Sequence, residues 1–201
     1  MLDDVNVLKQ RDPSGALDVA AALYSQAGYD GEVLNTDHDD REIKNIVVAG
    51  MGGSALAADT IKVLLATELP IPLEVVKGYD LPTYADHDSL VIASSHSGNT
   101  EETVSCLYQA LERGCQIAVM TTGGKLADIA RDHNILTGLI PHDTQPRMAV
   151  IYGMRTLLKI LIEFGLTSNT LHDEVAEAES WLQQESALWG SNVPTEHNYA
   201  K

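Results

Sequence analysis

The stretch LVIASSHSGNTEET, residues 90–103, combines an apolar run, a turn rich in hydroxyls and the start of a helical pattern. The apolar run predicts a buried strand, and the glutamates that follow the turn favour a helix N-terminus. The turn supplies four hydroxyls, those of Ser94, Ser95, Ser97 and Thr100. An ordinary N-cap needs a single hydroxyl. Because a helix N-terminus offers unpaired N–H groups and the positive end of its dipole, this turn favours a phosphate site over a plain cap.

Further strand, turn and helix units lie on both sides of this stretch. The predicted strands cover residues 45–49, 73–76, 90–93, 116–120 and 134–139, with helices at 55–67, after residue 100 and at 125–132. Strands that alternate with helices favour a parallel sheet with right-handed crossovers. We therefore predict an α/β fold: a three-layer α/β/α sandwich around a five-stranded parallel sheet in flavodoxin-like order.

The flanking segments are predicted to be mainly helical. Asp12 and Gly28 are suitable end residues for a leading helix, and apolar residues recur at helical spacing between them. Residues 29–42 are strongly acidic and predict a solvated loop or the polar end of a second helix. Two further helices are predicted at 148–164 and 171–189.

Composition restricts the class of partner. The chain of 201 residues carries 29 acidic and 13 basic residues, a formal charge of −16. This charge argues against nucleic acid and against an anionic membrane surface as partners. Neither a signal peptide nor a membrane span is recognisable in the sequence. The two cysteines, Cys106 and Cys115, fall in a predicted helix and strand unit, so we expect buried, reduced thiols and a cytoplasmic protein.

A second turn rich in small residues, GMGGS at 50–54, follows the first predicted strand. Its spacing does not match a dinucleotide fingerprint, and Glu74 falls inside a strand, whereas that fingerprint needs an acidic residue at a strand end. In open parallel sheets, ligands bind beyond the carboxyl ends of neighbouring strands whose helices leave on opposite faces. If the first and third predicted strands are adjacent, as in the flavodoxin-like order, this turn faces the hydroxyl turn, and we then expect the two turns to hold a dianion without any lysine.

Three segments together carry a family resemblance. GMGGSALAAD, SSHSGNTEET and QPRMAV, in this order, resemble the sugar isomerase (SIS) domain, and more closely the bifunctional phosphoglucose/phosphomannose isomerase family, over about residues 45–165. The resemblance implies a sugar-phosphate substrate, no cofactor and no metal. The substrate-binding residues that it implies are Gly52, Gly53, Ser54, Ser95, Ser97 and Thr100. It also implies that Arg147 is catalytic and stabilises a cis-enediolate intermediate.

Arg147 also has a physical case of its own. It follows Gln145 and Pro146, whose ring restrains the loop, and a permanently charged guanidinium can stabilise a developing oxyanion. The alternative is a salt bridge to one of the many carboxylates. His96 departs from the family pattern, which has an aromatic or small residue between the two serines. It could bind phosphate when protonated or have an incidental role.

The resemblance further implies a whole enzyme with two SIS domains, in which the second supplies the base. Residues 196–201 resemble the linker between them. We expect a helical lead at 1–44, a SIS domain at 45–167, and at 168–201 a helical extension with the start of the linker. The predicted function is the sugar-phosphate-binding half of a homodimeric isomerase that interconverts glucose 6-phosphate or mannose 6-phosphate with fructose 6-phosphate. The alternatives are a non-catalytic phosphosugar sensor and another SIS isomerase.

Overall fold

A computed structural model describes residues 2–201 and contains a six-stranded sheet at its centre. The strands are β1 Glu32–Leu34, β2 Asn45–Gly50, β3 Leu73–Val76, β4 Ser89–Ser95, β5 Gln116–Thr121 and β6 Leu136–Leu139. They lie in the order β1-β6-β5-β4-β2-β3, and β2 to β6 are mutually parallel. These strands are the five that the sequence predicts, in the flavodoxin-like order.

The prediction of five strands misses β1. This strand pairs antiparallel with β6, with Glu32 opposite Leu139. It has three residues within the acidic segment predicted as a loop or helix end, and neither of its terminal residues is buried. Three residues are too few to show an alternation of polar and apolar side chains. The pairing of β1 depends on the exposed edge of β6, which the local sequence around residue 32 does not reveal.

The helices flank the sheet. They are α1 Val5–Arg11, α2 Ala16–Ala21, α3 Gly53–Leu64, α4 Glu101–Glu112, α5 Gly124–Asp132, α6 Val150–Glu163, α7 Thr170–Glu177 and α8 Glu179–Ala187. Short 3-10 helices cover Leu23–Gly28, Pro146–Met148 and Thr195–His197. The helices predicted after residues 54, 100 and 124 are confirmed. The long helix predicted at 148–164 is confirmed as α6, which begins at Val150, two residues after the 3-10 helix Pro146–Met148 ends.

Two helix predictions are wrong in detail. The leading helix begins at Ala16, after Asp12, because Gly15 adopts a φ of 70° and the Asp12 carboxylate accepts hydrogen bonds from the N–H groups of Ala16 and Leu17. It gives way to a 3-10 helix before Gly28. The helix predicted at 171–189 is interrupted at Ala178 and forms α7 and α8.

The core occupies both faces of the sheet. Every residue of β4 is buried, as expected for a central parallel strand covered by helices on both sides. Ile46 and Val48 pack with α3 and α6 on one face, whereas Val47 and Ala49 pack with α4 on the other. Alternate residues of β2 therefore contribute to separate layers, which confirms the three-layer architecture.

No helix among residues 2–201 is long and apolar enough to cross a membrane. The predicted boundaries at residues 44 and 167, between the helical lead, the central domain and the helical extension, stay a prediction. β1 lies within the predicted helical lead but belongs to the sheet.

Candidate functional site

The two turns singled out in the sequence lie side by side at the carboxyl edge of the sheet. β2 and β4 are neighbours, and Gly50 at the end of β2 is paired with Ser94 in β4. The helices that follow them, α3 and α4, pack on opposite faces. This is the strand pair at which open α/β sheets form their ligand crevice.

The hydroxyls of the second turn form a cluster. The Ser95 and Thr100 hydroxyls are hydrogen bonded at 2.8 Å, and the Ser95 and Ser97 oxygens lie 3.5 Å apart. From the first turn, the Ser54 hydroxyl accepts a hydrogen bond of 3.0 Å from the His96 N–H. The structure therefore brings together Ser54, Ser95, Ser97 and Thr100, four of the five hydroxyl residues named from the sequence. The fifth, Ser94, is buried, and its hydroxyl donates to the Ser54 carbonyl at 3.1 Å. Ser97 is exposed and Ser95 is buried, so the cluster extends from solvent into the base of the crevice.

Three helices begin at this edge, and none of them is capped by the side chain of the residue before it. The residues before them, Gly52 at α3, Thr100 at α4 and Gly123 at α5, make no side-chain cap hydrogen bond within the described chain. The Thr100 hydroxyl contacts Ser95 and does not cap α4. The plain N-cap considered from the sequence is thus not formed, and the dipole of α4 faces the cluster uncapped.

The glycines of the first turn have different environments. A Cβ at Gly53 would lie 2.8 Å from the carbonyl oxygen of Pro146, so the start of α3 packs directly against the segment that carries Arg147. Gly52 has a φ of 53° and open space where a side chain would be. Of the two glycines, Gly52 therefore leaves its backbone accessible to a ligand, whereas Gly53 allows the contact between two protein segments.

Asn99 and the loop after β5 hold the hydroxyl turn in place. The Asn99 side chain donates to the Ser97 carbonyl at 3.0 Å and accepts from the Lys125 N–H at 3.0 Å. The Thr122 hydroxyl donates to the His96 carbonyl at 2.7 Å. The sequence analysis missed Asn99 and Thr122 as supporting residues because each bonds to a backbone group of the other loop, and such contacts leave no pattern in the sequence. The only signal in the sequence was the Thr-Thr-Gly-Gly turn after β5.

Arg147 lies in the 3-10 helix Pro146–Met148, and its side chain is exposed. Within residues 2–201 no ion pair involves it, so the salt bridge considered as an alternative is not formed. Through Pro146 this short helix contacts the start of α3, beside the hydroxyl cluster. The exposed guanidinium is therefore not neutralised by a carboxylate of the described chain.

His96 is partly buried between the two turns. Burial lowers the pKa of its imidazole below the usual value, and Asp143 opposes this effect only in part. Its Nε2 atom is buried and has no hydrogen-bond partner among the described residues. Burial therefore disfavours the protonated form, which weakens the case for His96 as a phosphate-binding cation.

The remaining titratable candidates are two buried thiols and two glutamates of a first helical turn. Cys106 and Cys115 are free and buried, and burial raises the pKa of the Cys106 thiol to about 11. No cluster of three His, Cys, Asp or Glu side chains suited to a metal ion occurs in the described part of the chain. Glu101 and Glu102 lie in the first turn of α4, where Glu101 accepts a hydrogen bond from the Tyr79 hydroxyl.

In a comparison with known protein families, residues 41–162 of the chain match the SIS domain. The chain is 36% identical over 171 residues to a bifunctional phosphoglucose/phosphomannose isomerase of Caldicellulosiruptor bescii, covering 85% of this chain and 50% of that protein. It is 34% identical over 138 residues to the protein of the same description from Thermoplasma acidophilum, covering 69% and 40%. The chain thus spans about half the length of the curated relatives that it matches.

A hypothetical protein from Thermus thermophilus has a similar fold. The TM-score is 0.57 at 20% identity, and the match covers 92% of this chain and 49% of that chain. At this identity the similarity concerns the fold alone.

Proposed function

The chain belongs to the SIS domain family, and from this premise we propose that it is the sugar-phosphate-binding part of an aldose–ketose isomerase. The proposed reaction interconverts glucose 6-phosphate or mannose 6-phosphate with fructose 6-phosphate. The observation that supports it most is the meeting of two features at one sheet edge. These are the hydroxyl cluster at two uncapped helix N-termini and an arginine that forms no ion pair among residues 2–201. The relatives named above support the choice of sugar.

In this proposal the phosphate binds to the hydroxyls of Ser54, Ser95, Ser97 and Thr100 and to the N-termini of α3 and α4. Hydroxyls and backbone N–H groups would bind the dianion with the help of the helix dipoles, which suits a chain of net charge −16. Gly52 would allow the ligand to approach the backbone. Phosphate binding far from the reacting carbons would then orient the sugar for proton transfer.

The chemical step is a proton transfer between C2 and C1. A carboxylate removes the C2 proton of the aldose as the carbonyl oxygen O1 gains negative charge. The proton is returned at C1 while the O2 hydroxyl proton passes to O1, which gives the ketose. Arg147 would stabilise that charge in the cis-enediolate. Glucose and mannose phosphates differ only at C2 and give the same enediolate, so one site would serve both. We assign the base to a carboxylate outside residues 2–201, since the glutamates beside the cluster belong to the first turn of α4.

The proposal includes a homodimer in the cytoplasm. Two free, buried cysteines support a reducing compartment, and the strong negative charge argues against nucleic acid or an anionic membrane as partner. Sedimentation equilibrium would measure the oligomeric state directly.

Calorimetry with fructose 6-phosphate, together with a coupled isomerase assay, tests the proposal. We expect the 201-residue chain to bind the sugar phosphate with little or no turnover. Arg147→Met should weaken binding of 5-phosphoarabinonate, whose carboxylate imitates the enediolate charge, about tenfold or more, the effect of one charged hydrogen bond.

The matched control is Arg131→Met. Arg131 lies at the end of α5, where it is paired with Asp128. Its replacement should therefore leave the affinities for fructose 6-phosphate and for 5-phosphoarabinonate unchanged. Absence of any binding of fructose 6-phosphate by the wild-type chain would disprove the proposed ligand, and rapid turnover by this chain alone would disprove the assignment of the base.

A further inference from the structure

Gln26 is a buried polar residue that contacts the Arg147 segment from the far side. It lies in the 3-10 helix Leu23–Gly28 and is 2% exposed. Its side-chain amide donates a hydrogen bond of 2.6 Å to the Met148 carbonyl and accepts one of 3.3 Å from the Tyr152 N–H. These partners are distant in sequence and include the residue that directly follows Arg147.

The two hydrogen bonds fix both sides of one junction. Met148 ends the 3-10 helix that carries Arg147, and Tyr152 lies in the first turn of α6. The residue before α6, Ala149, provides no side-chain cap, so the Tyr152 N–H depends on Gln26 for a side-chain partner. Gln26 therefore caps α6 from a distance and at the same time binds the end of the short helix before it.

On its other side the same short helix packs against α3. The Pro146 carbonyl oxygen lies 2.8 Å from the position that a Cβ of Gly53 would occupy, which leaves no room for movement toward α3. The backbone on which Arg147 is mounted is thus held between Gly53 and Gln26. Because the guanidinium itself makes no ion pair among residues 2–201, its position depends on this backbone.

The segment around Gln26 has anchors of its own. The Tyr29 hydroxyl donates to the Leu139 carbonyl at 2.9 Å, and the buried Arg155 guanidinium donates to the Tyr29 carbonyl at 2.5 Å. His172 is hydrogen bonded through Nε2 to the Asp30 carbonyl at 3.0 Å. Loss of the Gln26 amide should therefore release the Arg147 junction while the neighbouring chain stays attached.

We infer that Gln26 is a positioning residue for Arg147: its amide holds the turn that presents the guanidinium to the substrate. The inference rests on the proposed function, because it assigns Arg147 to the reacting end of the sugar. Gln26 is buried and acts through the backbone groups of Met148 and Tyr152.

The first test measures the junction without any ligand. Gln26→Met keeps the side-chain volume and removes both hydrogen bonds, and it should speed tryptic cleavage of the native chain after Arg147 about fivefold or more, since local opening controls such cleavage. Tyr29→Phe also removes two hydrogen bonds, one to the Leu139 carbonyl and one from the Glu32 N–H, but at a different place, and it should leave that cleavage rate within about twofold. Cleavage after Arg131 in α5 reports opening at a site remote from this junction, and an equal rise at both sites in Gln26→Met would overturn the inference.

The second test separates positioning from general stability. Gln26→Met should weaken binding of 5-phosphoarabinonate about fivefold to tenfold and change the affinity for inorganic phosphate less than about twofold. In combination with Arg147→Met it should cause no further loss, since residues that act as a unit are not additive. Equal losses for both ligands, or additive losses in the double variant, would overturn the inference.

Failure of the proposed function would look different. In that case the wild-type chain would bind neither fructose 6-phosphate nor 5-phosphoarabinonate, and both proposals would fall together. If the wild-type chain binds both ligands through Arg147 while Gln26→Met behaves like Tyr29→Phe, only the role of Gln26 is disproved.

Discussion

Replacement of Gly98 by alanine is expected to displace the hydroxyl turn. Gly98 has a φ of 67°, and a Cβ there would lie 1.7 Å from the Gly123 carbonyl oxygen and 2.8 Å from the Thr121 hydroxyl. Gly98 also accepts a hydrogen bond of 2.9 Å from the Leu126 N–H, so the two loops touch through their backbones. A methyl group at this point would force them apart.

Gly114 offers a matched control for the magnitude. It has a φ of 66°, almost the same as Gly98, but no atom lies within 4 Å of the position of its Cβ. Gly114→Ala should therefore cost only the left-handed backbone strain, about 1–2 kcal/mol of the free energy of unfolding. Gly98→Ala carries the same strain and a steric overlap worth a further ~1–3 kcal/mol, so we expect a total loss of about 2–5 kcal/mol.

Urea unfolding of the two variants measures this difference, and calorimetry with fructose 6-phosphate measures its effect on the site. We expect Gly98→Ala to lose most of its affinity, because the Ser97 hydroxyl and the N-terminus of α4 move with the loop, and Gly114→Ala to retain it. If the two variants lose the same free energy of unfolding, the close approach of the loops contributes nothing and the reasoning is refuted.

Three other predictions concern single side chains. Ser97→Ala should reduce affinity for fructose 6-phosphate about tenfold and change the free energy of unfolding by less than about 0.5 kcal/mol, because Ser97 is exposed; unchanged affinity in calorimetry would remove Ser97 from the site. Burial lowers the pKa of His172 below its ordinary value of 6.5, so the unfolded chain binds a proton that the folded chain does not, and stability should fall as the pH decreases below about 6.5. His172→Gln should flatten this dependence in urea titrations between about pH 7 and 5, and an unaltered slope would contradict the argument. Burial raises the pKa values of Cys106 and Cys115, so a thiol reagent should react slowly with the native chain and rapidly only when urea unfolds it; fast labelling without urea would show that the thiols are accessible.

The sequence was sufficient to group those residues of the candidate site that are neighbours in the chain or in the sheet. Ser95, Ser97 and Thr100 belong to one turn, and the turn at residues 50–54 follows another strand of the same sheet, so the topology alone brings them to one edge. Arg147 was found through its motif, but only the structure shows that it makes no ion pair among the described residues. The N-cap alternative could not be decided from the sequence, because a hydroxyl in this turn can bond either to the helix or to Ser95.

Local patterns in the sequence thus determined the five parallel strands and the segments that carry the candidate site, while their order was assumed to be flavodoxin-like and is confirmed by the structure. The tertiary structure decided the rest: the edge strand β1, the division of α7 from α8, the close approach of Gly98 to Gly123, and the contacts of Gly53 and Gln26 with the Arg147 segment. Hydrophobic periodicity is a property of adjacent residues and can be recognised in a single sequence. The contacts of Gln26 join positions that are distant in the chain, and no periodic pattern encodes which carbonyl a buried amide will meet.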